Sequence, residues 1–571
     1  MRTHIRNARV FNTPLRRFVT CDLVIEDGRF LYAFLEKTPD VAADRTMDAE
    51  GRFILPSLID IHLHVESSMV TPRVFSDMLI RNGVTACVAE PHEIANVFGV
   101  EGIEAFLRQG RECVADLFCG VPSSVPCSTF ETTGGAIELD DALRLIEENP
   151  EVICLGEVMN CYSVLHEPDG KIRTWLEALR RRYPRLTLEG HISYYNGKDL
   201  CEIAYHGVDS DHTSQGLECF VNRLTQGVFM EFQDKTLTPE IVAYIEENDL
   251  WHHFSIVTDD VMPDRLFERG HLNVLFRKAV SLGMKPERAI MATTYNPATR
   301  MKLYDRGMIA PGKRADFVIL DDLERFDIHS VYKDGALAYE AANPAPLNRS
   351  APFFPPHFYK SLRLQALTEQ DFKLQAPFGG ADKVLCRIME MEYGSTLTRE
   401  CFDTLPVING EVEYEASPYC LIAVFDRYTG EARRAYGLIG GPDFIKEGAV
   451  ASTYAHDHHN LLAAGKTARD CAAAANWVIA HQGGICASRD GTVVAGLELP
   501  VGGIVTEAPM EEVAKGAHEV TAAMEALGYH HPNPIMSFSC LGLSVSRALR
   551  LTDRGYVKFA EGKIVPLFVG E

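Results

Sequence analysis

The sequence predicts an α/β protein built around a (β/α)8 barrel of the TIM type, with a small β-sandwich formed by both flanks and an extra C-terminal α+β domain. Three observations support this fold class. Short apolar strands alternate with amphipathic helices over residues 53–304, as in parallel α/β units. Eight such strands over this length match the size of a (β/α)8 barrel. Finally, 571 residues are too many for a single compact core.

The chain begins with short alternating segments that are typical of small antiparallel strands. Glu26-Asp-Gly28 is a hairpin turn signal between two of them. A second turn-rich, strand-like segment follows the barrel at Gly307–Leu320. We therefore expect residues 1–52 and 305–345 to form the small β-sandwich together.

Eight short apolar segments, most of them followed closely by polar residues, are predicted to be the barrel strands. They are Phe53–Ile61, Thr85–Ala89, Asp116–Gly120, Val152–Gly156, Thr187–Glu189, Val208–Ser210, Gly227–Phe232 and His253–Val257. Amphipathic helices are predicted between them, for example at Leu139–Glu148, Ile172–Arg182 and Pro239–Asn248. This assigns residues 53–304 to the barrel.

A Pro-rich stretch follows, and proline interrupts both helices and strands. We place a linker at residues 346–359 and a C-terminal α+β domain at residues 360–571. Its predicted strands include Ser417–Asp426 and Thr492–Glu498, and its predicted helices include Ala468–Ala480 and Met510–Leu527.

Composition excludes several classes of partner. The net charge of -23 disfavours nucleic acid and anionic membranes, since both are bound through Lys and Arg patches. We find no apolar run long enough to span a membrane and no apolar signal core at the start of the chain. The 15 cysteines include no Cys-x-x-Cys pair, which fits reduced thiols. We expect a cytoplasmic protein that acts on a small molecule.

The first barrel strand ends in a pair of histidines, His62 and His64. Residues two apart on a strand face the same side, so both imidazoles can bind one ion. Imidazole is a common ligand of zinc, iron and manganese, and the strand ends of a barrel are where functional groups gather. Two alternating histidines are also common by chance, so the pair gains weight only from its position.

Similar polar residues close other predicted strands, at the face where active sites of this fold lie. They are Glu90, His92, Glu93, Glu157, Asn160, His191, Asp211, His212, Asp259 and Asp260. Four His, one Glu and one Asp would make a binuclear site with a shared carboxylate. Two cations about 3.5–4 Å apart would convert a bridging water into hydroxide near neutral pH. Asp259 could bind one metal and carry protons as general base and acid.

Longer motifs around these residues resemble the adenine deaminase family of the amidohydrolase superfamily. The similar segments extend over almost the whole chain. They include IDIHLHVESSM at Ile59–Met69, EPHEIAN at Glu90–Asn96, LGEVMN at Leu155–Asn160, MATTYNPA at Met291–Ala298, AHDHHN at Ala455–Asn460 and LPVGG at Leu499–Gly503.

The resemblance implies a metal-dependent hydrolase barrel that holds two divalent ions per subunit, Mn, Fe or Zn. His62, His64 and Asp259 are implied as ligands of one metal, and His191 and His212 as ligands of the other. Glu157 is implied as the bridge, in place of the carboxylated lysine of many relatives. No lysine closes the fourth strand here, which supports that assignment.

The implied activity is hydrolytic deamination of adenine to hypoxanthine and ammonia by a metal-bridging hydroxide. Asp259 would pass a proton to the departing amine. We nominate Glu93 as the acid that protonates the adjacent ring nitrogen; the alternative is a helix N-terminal carboxylate, favoured by the helix dipole. Further residues are expected to line the pocket or support the ligands: Glu66, His92, Asp260, Asn160, His456 and Asp457. The loop that carries the last two either caps the barrel mouth or makes an interdomain polar contact.

Some positions depart from the family pattern. Thr213 follows Asp211-His212, where the family usually has Glu, and Ile192–Asn196 differs from the usual Ala-Pro-Gly-Leu-Ser. The alternative function is therefore a deaminase or cyclic-amide hydrolase acting on another N-heterocycle, such as a pterin or pyrimidine. A non-catalytic metal-binding protein is the third hypothesis. We expect a homodimer, because symmetric homo-oligomers are the usual form of soluble enzymes.

Overall fold

The computed structural model describes residues 1–35, 41–213, 216–345, 347, 352–377, 382–431, 433–546 and 548–570. The first strands are β1 (Arg2–Asn12), β2 (Arg17–Glu26), β3 (Arg29–Tyr32), β4 (Arg45–Asp48) and β5 (Phe53–Pro56). β2 and β3 pair antiparallel around Asp27 and Gly28, whose φ angles are 48° and 79°. This confirms the predicted hairpin turn, because two-residue type I′ turns need positive φ at both central positions.

Eight parallel strands follow, in the order in which they were predicted. They are β6 (Leu58–Leu63), β7 (Val84–Ala89), β8 (Asp116–Val121), β9 (Val152–Val158), β10 (Thr187–Gly190), β11 (Ser210–Asp211), β12 (Phe229–Phe232) and β13 (Phe254–Ile256). β6–β10 form one sheet and β11–β13 another. Between the edges of the two sheets, Asp209 N donates to Leu188 O (3.5 Å) and Asp259 N donates to His62 O (3.0 Å).

The predicted strand Phe53–Ile61 is in fact two strands in two different sheets. β5 pairs with β1 and with a later strand of the small sheet, whereas β6 pairs with β7. The change occurs at Ser57, which follows Pro56, a residue with no backbone N–H to donate. Ser57 N still donates to Asp316 O (3.1 Å), but Leu58 N donates to Gly83 O (2.9 Å). The apolar run is continuous because both sheets bury it.

Helices connect the parallel strands, and Leu139–Glu148 has the predicted bounds. They are α1 (Pro72–Arg81), α2 (His92–Phe98), α3 (Val100–Gly110), α4 (Leu139–Glu148), α5 (Cys161–His166), α6 (Lys171–Arg182), α7 (Gly197–Tyr205), α8 (Leu217–Thr225), α9 (Pro239–Glu247), α10 (Pro263–Glu268), α11 (Leu272–Ser281), α12 (Pro286–Thr293) and α13 (Tyr295–Arg300). α2 begins directly after β7, which puts its first turn at the end of the strands.

The chain then returns to the first sheet. β14 (Phe317–Asp322), β15 (Asp327–Lys333) and β16 (Ala336–Glu340) extend it, and β14 pairs antiparallel with β5. Both flanks of the parallel strands therefore share one sheet, in the order β16-β15-β14-β5-β1-β2-β3, with β4 also on β1. Of the expected linker, residues 346 and 348–351 lie outside the described residues.

Over its described residues, the C-terminal part contains a nine-stranded sheet, three α-helices and a small three-stranded sheet. The elements are β17 (Lys383–Met391), β18 (Thr398–Ile408), β19 (Glu411–Val412), β20 (Cys420–Phe425), β21 (Arg434–Gly440), β22 (Ala449–Ser452), β23 (Leu461–Gly465), α14 (Ala468–Ala480), β24 (Gly484–Arg489), β25 (Thr492–Glu498), α15 (Met510–Ala526), α16 (Pro534–Ser539), β26 (Arg550–Thr552), β27 (Gly555–Lys558) and β28 (Lys563–Val565). The loop between β22 and β23 carries Ala455–Asn460, all of it buried.

This C-terminal part packs directly on the strand ends of the parallel sheets. Met69 and Thr71, just after β6, exchange backbone hydrogen bonds with Thr506. Ser128 Oγ, in the segment after β8, lies 2.7 Å from Ser544 Oγ. One hydrophobic cluster includes residues of both parts, among them Leu58 and Leu551. Within the described residues, no helix is both long enough and apolar enough to cross a membrane.

Candidate metal centre

Six side chains predicted as metal ligands lie together where the parallel strands end. They are His62 and His64 (end of β6), Glu157 (β9), His191 (after β10), His212 (after β11) and Asp259 (after β13). Five of them are buried and His191 is partly buried. Because parallel strands deliver their C-terminal ends to one face, residues 62 and 259 meet although they are far apart in sequence.

Glu157 stands between two groups of histidines. Its Oε1 is 3.6 Å from His64 Nε2. Its Oε2 is 2.7 Å from His191 Nδ1 and 3.4 Å from His212 Nε2. The two oxygens of one carboxylate thus face different imidazoles, which is the arrangement needed for a carboxylate that bridges two ions.

Asp259 lies on the other side of the β6 histidines. Its Oδ1 is 3.3 Å from His64 Nε2 and 3.8 Å from His62 Nε2. The backbone fixes this position, because Asp259 N donates to His62 O and its φ is 59°. Beneath it, Thr258 Oγ1 donates to buried Asp60 Oδ2 (2.7 Å), so Asp60 at the start of the His-x-His motif also holds the strand that delivers Asp259.

The electrostatics keep both acids ionised. Burial would raise the pKa of Glu157, but the hydrogen bond to His191 and the charges of the nearby histidines lower it well below its ordinary value. Burial opposes ionisation of Asp259 as well, but the hydrogen bond to His64 and the charges of the surrounding histidines together outweigh it, so its pKa is also well below the ordinary value. Burial lowers the pKa of His62 and of His212. Burial acts in the same direction on His64 and His191, but their hydrogen bonds to Asp259 and Glu157, together with the nearby negative charges, outweigh it and raise the pKa of His64 to about 10 and that of His191 above its ordinary value. Metal binding requires neutral imidazoles, so a bound cation would displace these two protons.

The donor set fits divalent metal ions. Both ring nitrogens of His62 and Nδ1 of His212 are buried without a hydrogen-bond partner among the described residues. Buried polar atoms are normally paired, so such atoms call for a ligand that the protein chain does not supply. Four imidazoles and two carboxylates suit zinc, manganese or iron, which take nitrogen and oxygen ligands alike.

Asp211 was recognised in the sequence as a residue at the end of a predicted strand, but its partner Arg223 was not recognised. Arg223, on α8, is fully buried, and its Nε donates to Asp211 Oδ2. Its NH1 donates to Asn196 Oδ1 (3.0 Å). Asp211 Oδ1 in turn accepts from Ile192 N (3.1 Å), next to His191. A buried arginine therefore positions the loop that carries one ligand, and only its place on an amphipathic helix could have suggested this.

Glu231 was also missed. It is buried in β12, and one of its oxygens lies within 4.8 Å of ring nitrogens of His62 and His212. Burial and neighbouring Glu189 raise its pKa well above the ordinary value. The sequence feature that could have identified Glu231 as a candidate functional residue is its position inside an otherwise apolar strand.

Glu93 does not occupy the environment expected of a proton donor. It lies in the first turn of α2, as the alternative interpretation expected, but its carboxylate contacts His456 Nδ1 and His459 Nε2 from the C-terminal part. Burial opposes ionisation, yet His456, His459 and His92 together lower its pKa well below the ordinary value. An ionised carboxylate has no proton to give, so the geometry does not favour Glu93 as the acid.

The remaining predicted residues are arranged around these groups. Glu66 Oε1 accepts from Ile94 N (3.1 Å) and so holds the first turn of α2. Asn160 Oδ1 accepts from Ser163 N (3.0 Å) and caps α5. Asp260 accepts a hydrogen bond from Ser67 Oγ and is exposed. These three serve as supports, whereas His92, His456 and Asp457 join Glu93 in a group of their own.

Two family models and several known proteins are similar to this chain. Residues 53–338 match the amidohydrolase family, and residues 395–563 match the adenine deaminase C-terminal domain. Adenine deaminase 2 of Shouchella clausii is 47% identical over 570 residues, covering 100% of this chain and 99% of that protein. Adenine deaminases of Clostridium perfringens (43% identity; 99% of each chain covered) and Lactobacillus delbrueckii subsp. bulgaricus (36%; 99% and 98%) are similar along their whole length.

Proposed function

We propose a reaction from one premise: this chain belongs to the adenine deaminase family of amidohydrolases. The reaction is the hydrolytic deamination of adenine, in which water replaces the amino group at C6 and hypoxanthine and ammonia are released. The substrate comes from the relatives, whose names specify adenine. The chemistry comes from the centre around Glu157.

The observation that carries this function is the placement of the two Glu157 oxygens. One faces His64 and the other faces His191 and His212, at 3.6, 2.7 and 3.4 Å. We infer two divalent ions, Mn, Fe or Zn. His62, His64 and Asp259 would hold one, His191 and His212 would hold the other, and Glu157 would contact both. When bound, such a pair makes water a nucleophile near neutral pH.

Asp259 is the residue we assign to proton transfer. Its carboxylate is ionised and its Oδ1 lies within 3.8 Å of both β6 histidines, so it stands beside the position where water would be activated. We propose that it accepts the proton of the attacking water and delivers it to the departing amine nitrogen. Its positive φ and its backbone bond to His62 O keep it from turning away.

We also propose the finer architecture that this mechanism uses. The eight parallel strands would close into one barrel through the bonds at Asp209 and Asp259. The chain would be divided at residues 1–52 with 305–345, 53–304, 346–359 and 360–571. The homodimer stays a prediction from the sequence.

Ammonia release from a panel of heterocycles tests the function. Enzyme reconstituted with Mn²⁺ should release ammonia from adenine faster than from guanine, cytosine or a pterin. Asp259→Asn keeps the size of the side chain and removes the proton carrier, so its kcat should fall by a factor of about 100–10,000. Glu247→Gln, an exposed acid on α9, is the matched control and should retain wild-type turnover. Faster turnover of another heterocycle would replace adenine as the substrate, and normal turnover in Asp259→Asn would remove its role.

A further inference from the structure

A second group of ligand-type side chains lies where the parallel strands meet the C-terminal part. We call it the interdomain cluster: His92 and Glu93 from the first turn of α2, with His456 and Asp457 from the loop between β22 and β23. One ligand atom of each residue lies within 4.8 Å of the others. Two segments more than 360 residues apart in sequence therefore converge on a single point.

The atoms of the interdomain cluster face one another closely. His92 Nε2 is 3.3 Å from Glu93 Oε1 and 3.6 Å from Asp457 Oδ1. His456 Nδ1 is 3.7 Å from the same Asp457 oxygen and contacts Glu93 Oε1 as well. Two imidazole nitrogens and two carboxylate oxygens thus surround a common centre.

Neighbouring residues orient these side chains from behind. His456 Nε2 is 3.1 Å from Tyr454 OH, which leaves Nδ1 directed into the interdomain cluster. His459 Nε2 contacts the other oxygen of Glu93, and its Nδ1 lies 3.2 Å from both Ala455 N and Thr453 O. Supporting contacts of this kind fix the direction of ligands around metal ions.

Both carboxylates of this group are buried: Glu93 is 0% and Asp457 2% exposed. Imidazoles contact both oxygens of Glu93, whereas Asp457 Oδ2 has no hydrogen-bond partner in the part of the chain that the structure describes. Burying a carboxylate is unfavourable unless an opposite charge or a metal ion compensates it. A divalent cation at the common centre would compensate both.

We propose that the interdomain cluster binds a divalent metal ion of its own, in addition to the ions at Glu157, and that this ion ties the C-terminal part to the barrel mouth. Two nitrogen and two oxygen ligands suit manganese, zinc or iron. His92 would link this ion to the first centre, because its Nδ1 lies 4.0 Å from Glu157 Oε1 while its Nε2 faces the new ion. The proposal does not depend on which heterocycle is the substrate.

Metal counting tests the proposal. Apoenzyme is reconstituted with Mn²⁺, passed through a desalting column and analysed by mass spectrometry for Mn per chain. Wild type should hold one ion more than His456→Gln and one more than Asp457→Asn. His458→Gln is the matched control: it is on the same loop and 0% exposed, but outside the cluster, and it should bind as many ions as wild type. Because the result is a difference, it holds whatever number of ions the Glu157 centre binds.

Anomalous diffraction from wild-type crystals locates the ion directly and tests the proposal even if the variants fail to fold. Crystals of Mn²⁺-loaded wild type should give an anomalous peak within bonding distance, about 2.0–2.3 Å, of His92 Nε2 and His456 Nδ1. Equal ion counts in wild type and in folded His456→Gln, or no anomalous peak at this position, would overturn the proposal. The cluster would then be a network of imidazolium–carboxylate pairs.

Discussion

Glu157 illustrates how a single residue determines the chemistry of this site. Its carboxylate is shared between His64 on one side and His191 and His212 on the other, and these imidazoles keep it ionised despite its burial. Several other buried carboxylates of the same structure behave differently. Burial dominates at Glu90, for example, and raises its pKa to about 8, because its oxygens have no hydrogen-bond partner among the described residues. Local partners, and not depth alone, decide which acids are ionised.

Glu131 gives a prediction for pH dependence. It is 3% exposed in the segment between β8 and α4, with Oε1 2.9 Å from Cys127 Sγ, and burial raises its pKa from 4.5 to about 7. The folded protein keeps this proton between those pH values and the unfolded chain loses it. Protonated Glu131 therefore contributes stability to the folded state. This contribution is fully present below about pH 4.5 and is lost as the pH rises through 7.

Glu131→Gln cannot ionise, so this loss should disappear. Relative to wild type, the variant should gain about 3 kcal/mol of stability between pH 4.5 and pH 8. Melting temperatures of both proteins across this range provide the measurement, with Glu247→Gln as an exposed control that should follow wild type. A pH-independent difference between Glu131→Gln and wild type would show that Glu131 does not titrate as described.

At the scale of elements, the loops that carry the proposed ligands are held by residues outside the candidate metal centre. The loop after β10 delivers His191, and Arg223 on α8 fixes that loop through Asp211, Asn196 and the carbonyl of Ser193. The strand end that delivers Asp259 is held in the same way by Asp60. Short connections alone would leave these side chains free to rotate, whereas buried hydrogen bonds restrict them.

Replacement of Arg223 by Met should therefore be strongly destabilising. It leaves the buried Asp211 carboxylate without its cation, which costs about 3–5 kcal/mol in comparable buried pairs. The matched control is Arg111→Met: Arg111 pairs with Glu151 at 2.9 Å, but its side chain is 43% exposed, and such pairs contribute below about 1 kcal/mol.

Denaturant unfolding of the two variants measures the difference. The double variant Arg223→Met/Asp211→Asn should recover part of the loss, because it removes the uncompensated charge. Similar losses in Arg223→Met and Arg111→Met would contradict the role given to the buried pair.

The sequence predicted those elements whose local pattern is unambiguous. α4 and α14 have the predicted bounds because each helical run begins directly after a capping residue, Glu138 or Thr467. The split between β5 and β6 could not be predicted, since the apolar run Phe53–Ile59 looks the same whether one sheet or two bury it. Only the long-range pairing of β5 with β14 separates them.

The same limit applies to the site. His62 and His64 were recognisable because they alternate at the end of an apolar strand, and the motifs around Glu157 and Asp259 resembled those of a known family. Arg223 carries no such signal, because its partner Asp211 is brought to it by folding. Glu93 was nominated as the acid, with a helix N-terminal carboxylate as the alternative. The contacts from His456 and His459 that disfavour the first role come from a part of the chain more than 360 residues away.

At the scale of the whole molecule, bound metal should stabilise the fold, because the proposed ligands come from five of the parallel strands and the loops after them. The unfolded chain brings none of these groups together, so it has no comparable site. A ligand that binds only the folded state adds about 2.7 kcal/mol when its free concentration is 100 times its dissociation constant. Removing metal with a chelator should lower the melting temperature of wild type, and Mn²⁺ should restore it.

Glu157→Gln separates this effect from general salt stabilisation. The amide keeps the shape of the side chain but loses the charge that faces both histidine groups, so most of the gain from Mn²⁺ should vanish. Glu247→Gln should show the full gain. The measurement is the difference in melting temperature between chelator and Mn²⁺, determined for wild type, Glu157→Gln and Glu247→Gln. If Mn²⁺ raises the melting temperature of Glu157→Gln as much as that of wild type, the stabilising ion is bound elsewhere and the bridging role of Glu157 fails.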